Sequence, residues 1–236
     1  MINIESNFIK KRIELLRSDI VETAQKCRRN YQDIEIVAVT KGVDTSLILE
    51  AFSEGIDLFG ESYLQEASKK LDYLFNNSSL TKENFHFIGH LQKNKAVKAI
   101  NYFSSIDSID SIELCELISN KASKIGTKVN VMIEVKTSYE DTKYGLLPEE
   151  TIDFVENLIE LPFINLIGVM TMAPLDASEN VTRNCFRKLY NVWEEIDKLY
   201  NLKLPYISMG MSDDYKIAIE EGSTMLRIGR AIFGRS

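Results

Sequence analysis

The sequence has few of the residues that build disulfide frameworks and metal centres. Its three cysteines, Cys27, Cys115 and Cys185, lie far apart, and an odd number excludes a fully paired set of disulfides. Only two histidines are present, His86 and His90, so no convincing pattern of metal ligands can be assembled. We therefore expect no metal site.

Long apolar runs and an excess of positive charge are also lacking. No segment approaches the length of a membrane span, and residues 1–11 have no apolar core of the kind that a signal peptide needs. With 28 Lys and Arg against 35 Asp and Glu, the net charge is -7, which argues against general affinity for nucleic acid or anionic membranes. We expect a protein of the reduced cytoplasm that binds neither nucleic acid nor membrane.

The composition that remains is that of a globular chain. At 236 residues, 44% hydrophobic and 27% charged, its size and balance suit a single α/β barrel. Low-complexity tracts and Gly/Ser-rich linkers are absent from the sequence. We therefore predict one domain that spans residues 1–236.

Eight short apolar runs alternate with helical patterns along the chain. The predicted strands are 34–39, 58–60, 85–89, 103–107, 129–135, 164–172, 206–208 and 224–228. Helices are predicted at 45–54, 61–75, 92–100, 110–124, 148–161, 178–199 and 212–221, and an amphipathic helix within 3–30 precedes the first strand. This alternation predicts a (β/α)8 TIM barrel, in which the extra amino-terminal helix covers the place left by a truncated last helix.

Local signals mark two helix starts and one turn. Asp44 is a predicted cap for the helix after the first strand. Asp110, with Glu113 three residues later, is typical of a capping box. The loop Val135–Gly145 has no evident chemical role, and we predict that it is a structural turn.

The carboxyl ends of barrel strands meet at one mouth, where such proteins place their chemistry. Lys41 directly follows the buried first strand, where partial desolvation would lower its pKa and free its amine to attack a carbonyl carbon. Taken alone, a lysine whose head group simply reaches water explains the same pattern. The other residues expected at this mouth are Glu61, Ser62, His90, Met170, Ser208 to Ser212 and Arg227 to Gly229.

Two of the predicted mouth loops have the composition of a phosphate site. The loop Ser208–Asp214 offers a glycine, serine hydroxyls and a helix start, and the loop Arg227–Gly229 follows the next strand. Main-chain N–H groups at a helix start bind phosphate, and barrels frequently bind it after strands seven and eight. Taken alone, Ser212 with the two acids behind it is more typical of an ordinary N-cap. A reactive lysine facing a phosphate site leaves two ligands open: pyridoxal phosphate, or a phosphorylated sugar on a class I aldolase.

Four ordered motifs resemble the signature of the pyridoxal phosphate homeostasis proteins, the YggS/PROSC family. They are Ala38-Val39-Thr40-Lys41 followed by Phe59-Gly60-Glu61-Ser62-Tyr63-Leu64-Gln65-Glu66, then His86-Phe87-Ile88-Gly89-His90-Leu91-Gln92-Lys93-Asn94-Lys95, Ser208-Met209-Gly210-Met211-Ser212-Asp213-Asp214 and Arg227-Ile228-Gly229-Arg230-Ala231-Ile232-Phe233-Gly234. The resemblance runs from about the first strand to the last residues. It implies the barrel of the alanine racemase amino-terminal domain.

The resemblance also implies roles for individual residues. Lys41 would carry pyridoxal phosphate as a Schiff base, and Ser208, Ser212 and Gly229 would hold the phosphate. Arg227 would lie near the pyridine nitrogen. Because a guanidinium cannot take up a proton from the ring, that nitrogen would stay largely neutral and the ring would be a weak electron sink. The remaining positions expected at the cofactor are Ser62, Met170, Met209, Gly210 and Ile228. Ser62 departs from the family, which usually has a longer asparagine there.

The function implied by the resemblance is that of a protein that holds pyridoxal phosphate or delivers it to apo-enzymes without turning over a substrate. An amino-acid racemase or decarboxylase on the same scaffold is the alternative, and an unrelated Schiff-base aldolase is a third hypothesis. Racemases take a second acid/base from a carboxyl-terminal domain across a dimer. Because the sequence ends at Ser236, soon after the last strand, we expect no such domain, no turnover and a monomer.

Overall fold

The computed structural model describes residues 8–138 and 144–234, and eight parallel strands close into a barrel within them. The strands are β1 (Glu35–Val39), β2 (Leu58–Glu61), β3 (Phe85–Phe87), β4 (Ser105–Ile109), β5 (Val129–Glu134), β6 (Ile164–Met170), β7 (Tyr206–Ser208) and β8 (Met225–Ile228). Each strand pairs with the next in sequence, and β8 pairs with β1 to close the barrel. The predicted (β/α)8 TIM barrel is confirmed.

Helices surround this barrel. They are α1 (Phe8–Lys26), α2 (Thr45–Ser53), α3 (Leu64–Asn77), α4 (Ala96–Tyr102), α5 (Ile112–Ile125), α6 (Pro148–Ile159), α7 (Glu179–Tyr200), α8 (Tyr215–Glu220) and α9 (Arg230–Phe233). Within the part of the chain that the structure covers, no helix is long and apolar enough to cross a membrane.

The amino-terminal helix α1 lies against the short last helix α9. Arg12 of α1 donates hydrogen bonds to the carbonyl oxygens of Arg230 (2.6 Å) and Ala231 (2.9 Å). The hydroxyl of Tyr215, in α8, donates to the carboxylate of Asp19 in α1 at 2.7 Å. The helix therefore occupies the predicted place beside the short helix after β8.

Some predicted boundaries are wrong, and local hydrogen bonds explain two of them. The fourth strand begins at Ser105 rather than at residue 103, because the N–H of Phe103 still donates to Ala99 at the end of α4. Helix α8 begins at Tyr215 rather than at residue 212, because the carboxylate of Asp214 accepts from the N–H of Met211 and holds this segment in a turn. The segment Lys93–Lys95 is a 3-10 turn, and α4 starts only after it.

The two predicted caps have opposite outcomes. Asp44 caps α2, since its carboxylate accepts from the N–H of Ser46 at 2.9 Å. The Asp110 cap is wrong: the residue before α5 is Ser111, which makes no side-chain cap. Asp110 faces His90 instead, with 3.7 Å between its Oδ2 atom and the imidazole Nδ1 atom.

Side chains of the strands alternate between the barrel interior and the helices, and this alternation sorts the site residues. An apolar layer inside the barrel is formed by Val37, Met132, Met170 and Met225. The larger core between the strands and the helices includes Ala38, Phe59, Met209 and Ile228. A strand residue therefore lies near the interior or near the helices according to its place in this alternation.

Candidate functional site

Lys41 lies on a tight turn directly after β1. The N–H of Val43 donates to the carbonyl oxygen of Thr40 at 3.0 Å, which closes the turn around Lys41 and Gly42. Gly42 has a φ of 68°, and a residue with a side chain is disfavoured there even though its Cβ atom would meet nothing within 4 Å. Lys41 is exposed, so the expected partial burial of its side chain is not found. The turn carries the residue beyond the packed end of the strand.

The ends of β1 and β8 lie side by side next to the turn that carries Lys41. A Cβ atom added to Gly229 would lie 3.4 Å from the Cβ atom of Val39 and 3.5 Å from its carbonyl oxygen. Any side chain at position 229 would therefore fill the space beside Val39. Glycine keeps this part of the mouth open within two residues of Lys41.

Arg227 is buried inside the barrel and links three strands. Its guanidinium donates to the carbonyl oxygen of Ser208 at 2.9 Å, to the hydroxyl of Ser208 at 2.7 Å and to the carbonyl oxygen of Thr171 at 2.7 Å. Burial lowers the pKa of Arg227, and the carboxylates of Asp214, Asp107 and Glu134 oppose that effect. A guanidinium stays protonated in such a setting, so a positive charge is fixed in the floor of the mouth.

Four predicted contact residues have almost no side-chain surface at the mouth. Ser208 is fully buried, and its hydroxyl already accepts from Arg227. Met209 and Ile228 are also fully buried, and both belong to the core between the strands and the helices. Met170 is 1% exposed and belongs to the apolar layer inside the barrel. Sequence position alone does not separate these residues from ones that line the opening.

The loop after β7 needs glycine at position 210. Gly210 has a φ of 97°, and a Cβ atom there would lie 2.5 Å from the Cβ atom of Ala218. Its carbonyl oxygen accepts from the N–H of Arg227 at 2.9 Å, which joins this loop to β8. The role that the structure gives to Gly210 is therefore to let the loop turn tightly onto α8.

Ser212 joins the two loops that the sequence predicts as a phosphate site. Its hydroxyl oxygen accepts from the N–H of Ala231 at 3.1 Å, and the residue is half-buried. A serine hydroxyl that accepts one bond still has its hydrogen to donate. The structure thus brings the loops after β7 and β8 together, with a serine hydroxyl and Gly229 between them.

Glu61 does not face the mouth, contrary to expectation. Strand β2 extends through Glu61, so Glu61 lies on the same side as Phe59 and points toward α3. It is fully buried, and its Oε1 atom accepts from the hydroxyl of Thr40 (2.7 Å) and from the amine of Lys70 (2.8 Å). Burial raises the pKa of Glu61, and the Lys70 charge opposes that rise.

Ser62 comes after β2 and lies at the edge of the mouth. It is half-buried, and a Cβ atom added to Gly89 would lie only 2.2 Å from its carbonyl oxygen. The chain after β3 therefore passes directly against Ser62. This close approach explains the glycine in the motif that precedes His90.

A buried polar cluster inside the barrel was not predicted from the sequence. The Nδ1 atom of His86 lies 2.9 Å from the carboxylate of Asp107, which also accepts from the hydroxyl of Ser105 at 2.5 Å. Burial acts to lower the pKa of His86, but the facing Asp107 carboxylate outweighs it and the pKa is raised. The available signal was the alternation in β3 and β4, where polar residues stand between apolar ones at interior positions.

His90 and the lysines after it lie at the surface. The ring of His90 stacks on that of Tyr144, with 3.6 Å between the centroids and 11° between the planes. Lys93 pairs with Glu113 at 3.6 Å, and Lys98 donates to the hydroxyl of Ser68 at 2.8 Å. These contacts are those of an ordinary solvated face.

The loop Val135–Gly145 closes back onto β5 at both ends. The N–H of Leu146 donates to the carbonyl oxygen of Glu134 at 2.9 Å, and the N–H of Lys136 donates to the carbonyl oxygen of Leu146 at 2.7 Å. These bonds agree with a structural turn. Residues 139–143 of the loop lie outside the described residues.

Comparison with known proteins decides the family. Residues 16–236 match the family model described as alanine racemase, N-terminal domain. A pyridoxal phosphate homeostasis protein of Aquifex aeolicus is 34% identical over 95% of this chain and 96% of its own length. The chain belongs to the pyridoxal phosphate homeostasis protein family. The resemblance carried by the four motifs is confirmed.

Solved structures of two other proteins have a fold similar to that of this pyridoxal phosphate homeostasis family member. The structure of PipY from Synechococcus elongatus with pyridoxal phosphate bound has a TM-score of 0.84 at 30% identity, covering 96% of this chain and 100% of PipY. An alanine racemase from Clostridium difficile has a TM-score of 0.75 at 17% identity, covering 98% of this chain and 57% of the racemase. At 17% identity, the similarity to the racemase shows a shared fold and nothing further.

Proposed function

We propose that this protein binds pyridoxal phosphate as a Schiff base on Lys41 and holds it for delivery to apo-enzymes. The observation that carries the proposal is the position of Lys41, an exposed lysine on a turn beside the joined loops after β7 and β8. PipY, a relative at 30% identity, was solved with pyridoxal phosphate bound. The family name of the Aquifex aeolicus relative points the same way.

The groups at the mouth suit the parts of this cofactor. A primary amine at Lys41 matches the aldehyde, and the Ser212 hydroxyl with the open main chain at Gly229 suits a phosphate. Arg227 places a fixed positive charge in the floor, where the resemblance expects the ring nitrogen. Among the other predicted contacts, Ser62 is half-buried just after β2, whereas the side chains of Met170, Met209 and Ile228 are buried in the core.

The chemistry at Lys41 is reversible. The amine nitrogen bonds to the aldehyde carbon, and the aldehyde oxygen leaves as water together with the two amine hydrogens. Water reverses the reaction and frees the aldehyde. A bond of this kind suits a protein that holds the cofactor and later passes it on.

We further propose that the protein does not turn over amino acids. The guanidinium of Arg227 stays charged and already donates to Ser208 and Thr171, so it is not a group that gives or takes a proton. The Aquifex aeolicus relative is named as a homeostasis protein rather than as an enzyme. We propose that the protein acts as a monomer in the cytoplasm, and the three free thiols of Cys27, Cys115 and Cys185 suit a reducing compartment.

Titration with pyridoxal phosphate tests the binding proposal. The wild-type protein should develop a visible absorption band that Lys41→Ala abolishes and that Lys69→Ala, at an exposed lysine, leaves intact. A band retained in Lys41→Ala would place the bond elsewhere.

Turnover is tested separately in deuterated water. The protein loaded with pyridoxal phosphate is incubated with L-alanine or D-alanine, and the α-proton is followed by NMR. We expect no exchange above that of free cofactor. Exchange or inversion at enzyme-like rates, lost in Lys41→Ala, would restore the racemase alternative.

A further inference from the structure

The two peptide groups that flank Lys41 are both held by side chains of α3. The amine of Lys70 donates to the carbonyl oxygen of Thr40 at 2.6 Å, and this carbonyl belongs to the peptide bond before Lys41. The N–H of Gly42, in the peptide bond after Lys41, donates to the carboxylate of Glu66 at 2.8 Å. Glu66 and Lys70 stand one helical turn apart, and 3.4 Å separates their charged groups. Each flanking peptide group thus has a charged partner on the same helix.

We propose that Glu66 and Lys70 are positioning residues that fix the turn carrying Lys41 and so aim its amine into the mouth. The inference rests on the proposed function, because it concerns how the reactive lysine is presented. Hydrogen bonds with one ionised partner are roughly twice as strong as neutral ones. Two such bonds hold the main chain of the turn while the side chain of Lys41 stays exposed.

Lys70 is an anchor rather than a second nucleophile. A lysine ammonium has three hydrogens to donate. The Lys70 amine directs them at the Thr40 carbonyl, at the buried carboxylate of Glu61 (2.8 Å) and at Glu66. Its side chain is only 9% exposed. The carboxylate of Glu61 holds the Lys70 amine in place, and its Oε1 atom also accepts from the hydroxyl of Thr40.

The turn does not need these bonds to close. The N–H of Val43 already donates to the Thr40 carbonyl, and the N–H of Thr40 continues the sheet by donating to Gly60. The α3 contacts add a third set of restraints at the one residue proposed to react. Misplacement of a reacting group by 1 Å costs about 100-fold in rate, so restraint of the main chain here has a kinetic consequence.

Glu66 offers the cleaner test of the two residues. Its side chain is 44% exposed, and its removal leaves the buried Lys70 still paired with the carboxylate of Glu61. Glu66→Ala removes the acceptor for Gly42, whereas Glu66→Gln keeps an oxygen in the same place. Lys70→Met would strip the buried Glu61 of its partner and endanger folding. The exposed neighbour Lys69 supplies a matched control on the same helix.

The first measurement is hydrogen exchange at the Gly42 amide by NMR in protein without cofactor. We expect faster exchange in Glu66→Ala and wild-type exchange in Glu66→Gln and Lys69→Met. The second is the rate of formation of the visible band after mixing with pyridoxal phosphate. We expect a roughly tenfold lower rate in Glu66→Ala, with rescue in Glu66→Gln. Affinity for pyridoxine phosphate, which has no aldehyde, should stay unchanged in all three variants.

The outcomes separate this inference from the proposed function. Wild-type exchange and band formation in Glu66→Ala would overturn the positioning role alone. An equal loss of pyridoxine phosphate affinity in Glu66→Ala would show that Glu66 supports the whole pocket, which also overturns it. A wild-type protein that forms no visible band would overturn the proposed function and this inference together.

Discussion

The guanidinium of Arg227 donates a 2.7 Å hydrogen bond to the hydroxyl of Ser208 inside the barrel. Ser208 is fully buried, whereas Ser212, four residues later, is half-buried and bound to the N–H of Ala231. The two serines that the family resemblance assigns to the phosphate therefore have different surroundings. Ser208 supports the charged floor of the mouth, and Ser212 lies where the two loops meet.

Replacement of each serine should separate these roles. Ser212→Ala removes a donor to the phosphate, so we expect weaker binding of pyridoxal phosphate by about 2 kcal/mol, with little change for pyridoxal. Ser208→Ala should affect both ligands alike, because it disturbs Arg227 rather than the phosphate. Dissociation constants from absorbance titration provide the measurement. Equal losses for both ligands in Ser212→Ala would assign that serine to the fold.

Arg227 should be important for stability as well as for the site. Arg227→Met removes the donor to Ser208 and Thr171 and the positive charge that acts on the carboxylates of Asp214, Asp107 and Glu134, and we expect a loss of about 3–5 kcal/mol in the free energy of unfolding. Urea unfolding measures it. The control is Arg187→Met. The side chain of Arg187 is 64% exposed and pairs with Glu221, so this change should alter the free energy of unfolding by less than about 1 kcal/mol. Similar losses in the two variants would contradict the role of Arg227 as a buried structural charge.

The pair of His86 and Asp107 should make stability depend on pH. The pKa of His86 is raised in the folded state, since the Asp107 carboxylate outweighs the effect of burial. The stability contributed by the protonated imidazole is therefore complete below the unfolded pKa of about 6.5 and is lost as the pH rises through the folded pKa. Urea unfolding should show this decline in the wild type but not in His86→Gln. A decline of the same size in both proteins would assign it to other groups.

Gly42 and Gly126 form a matched pair for testing the turn at Lys41. Both have a φ of 68°, and a Cβ atom at either position would meet nothing within 4 Å. Gly42→Ala and Gly126→Ala should each reduce the free energy of unfolding by about 1 kcal/mol, from backbone strain alone. Only Gly42→Ala should also slow formation of the visible band with pyridoxal phosphate. Equal band kinetics in the two variants would mean that the turn does not control Lys41.

The barrel could be predicted because each buried strand is a short apolar run between helical patterns, which is a local signal. Lys41 could be singled out by the same reasoning, since it comes two residues after such a run. Glu61 was placed wrongly because an acid after Gly60 suits a helix start as well as a strand end. Only the observed extent of β2 shows that its side chain points toward α3.

Side-chain contacts between strands could not be predicted from the sequence. Whether His86 meets Asp107 depends on the register of β3 against β4, in which His86 is paired with Ser105. No local pattern encodes that register. The two hydrogen bonds between α3 and the peptide groups around Lys41 could not be predicted either, because they join residues 24 and 30 positions apart.

Borohydride reduction followed by peptide mass mapping shows whether Lys41 forms the covalent bond to the cofactor. The protein is loaded with pyridoxal phosphate, reduced and digested, with Lys41→Ala treated in parallel. We expect the added pyridoxyl phosphate mass on the peptide that contains Lys41, and none on the variant at equal cofactor concentration. Specific labelling of Lys70 or Lys93 in the wild type, with Lys41 unmodified, would contradict it.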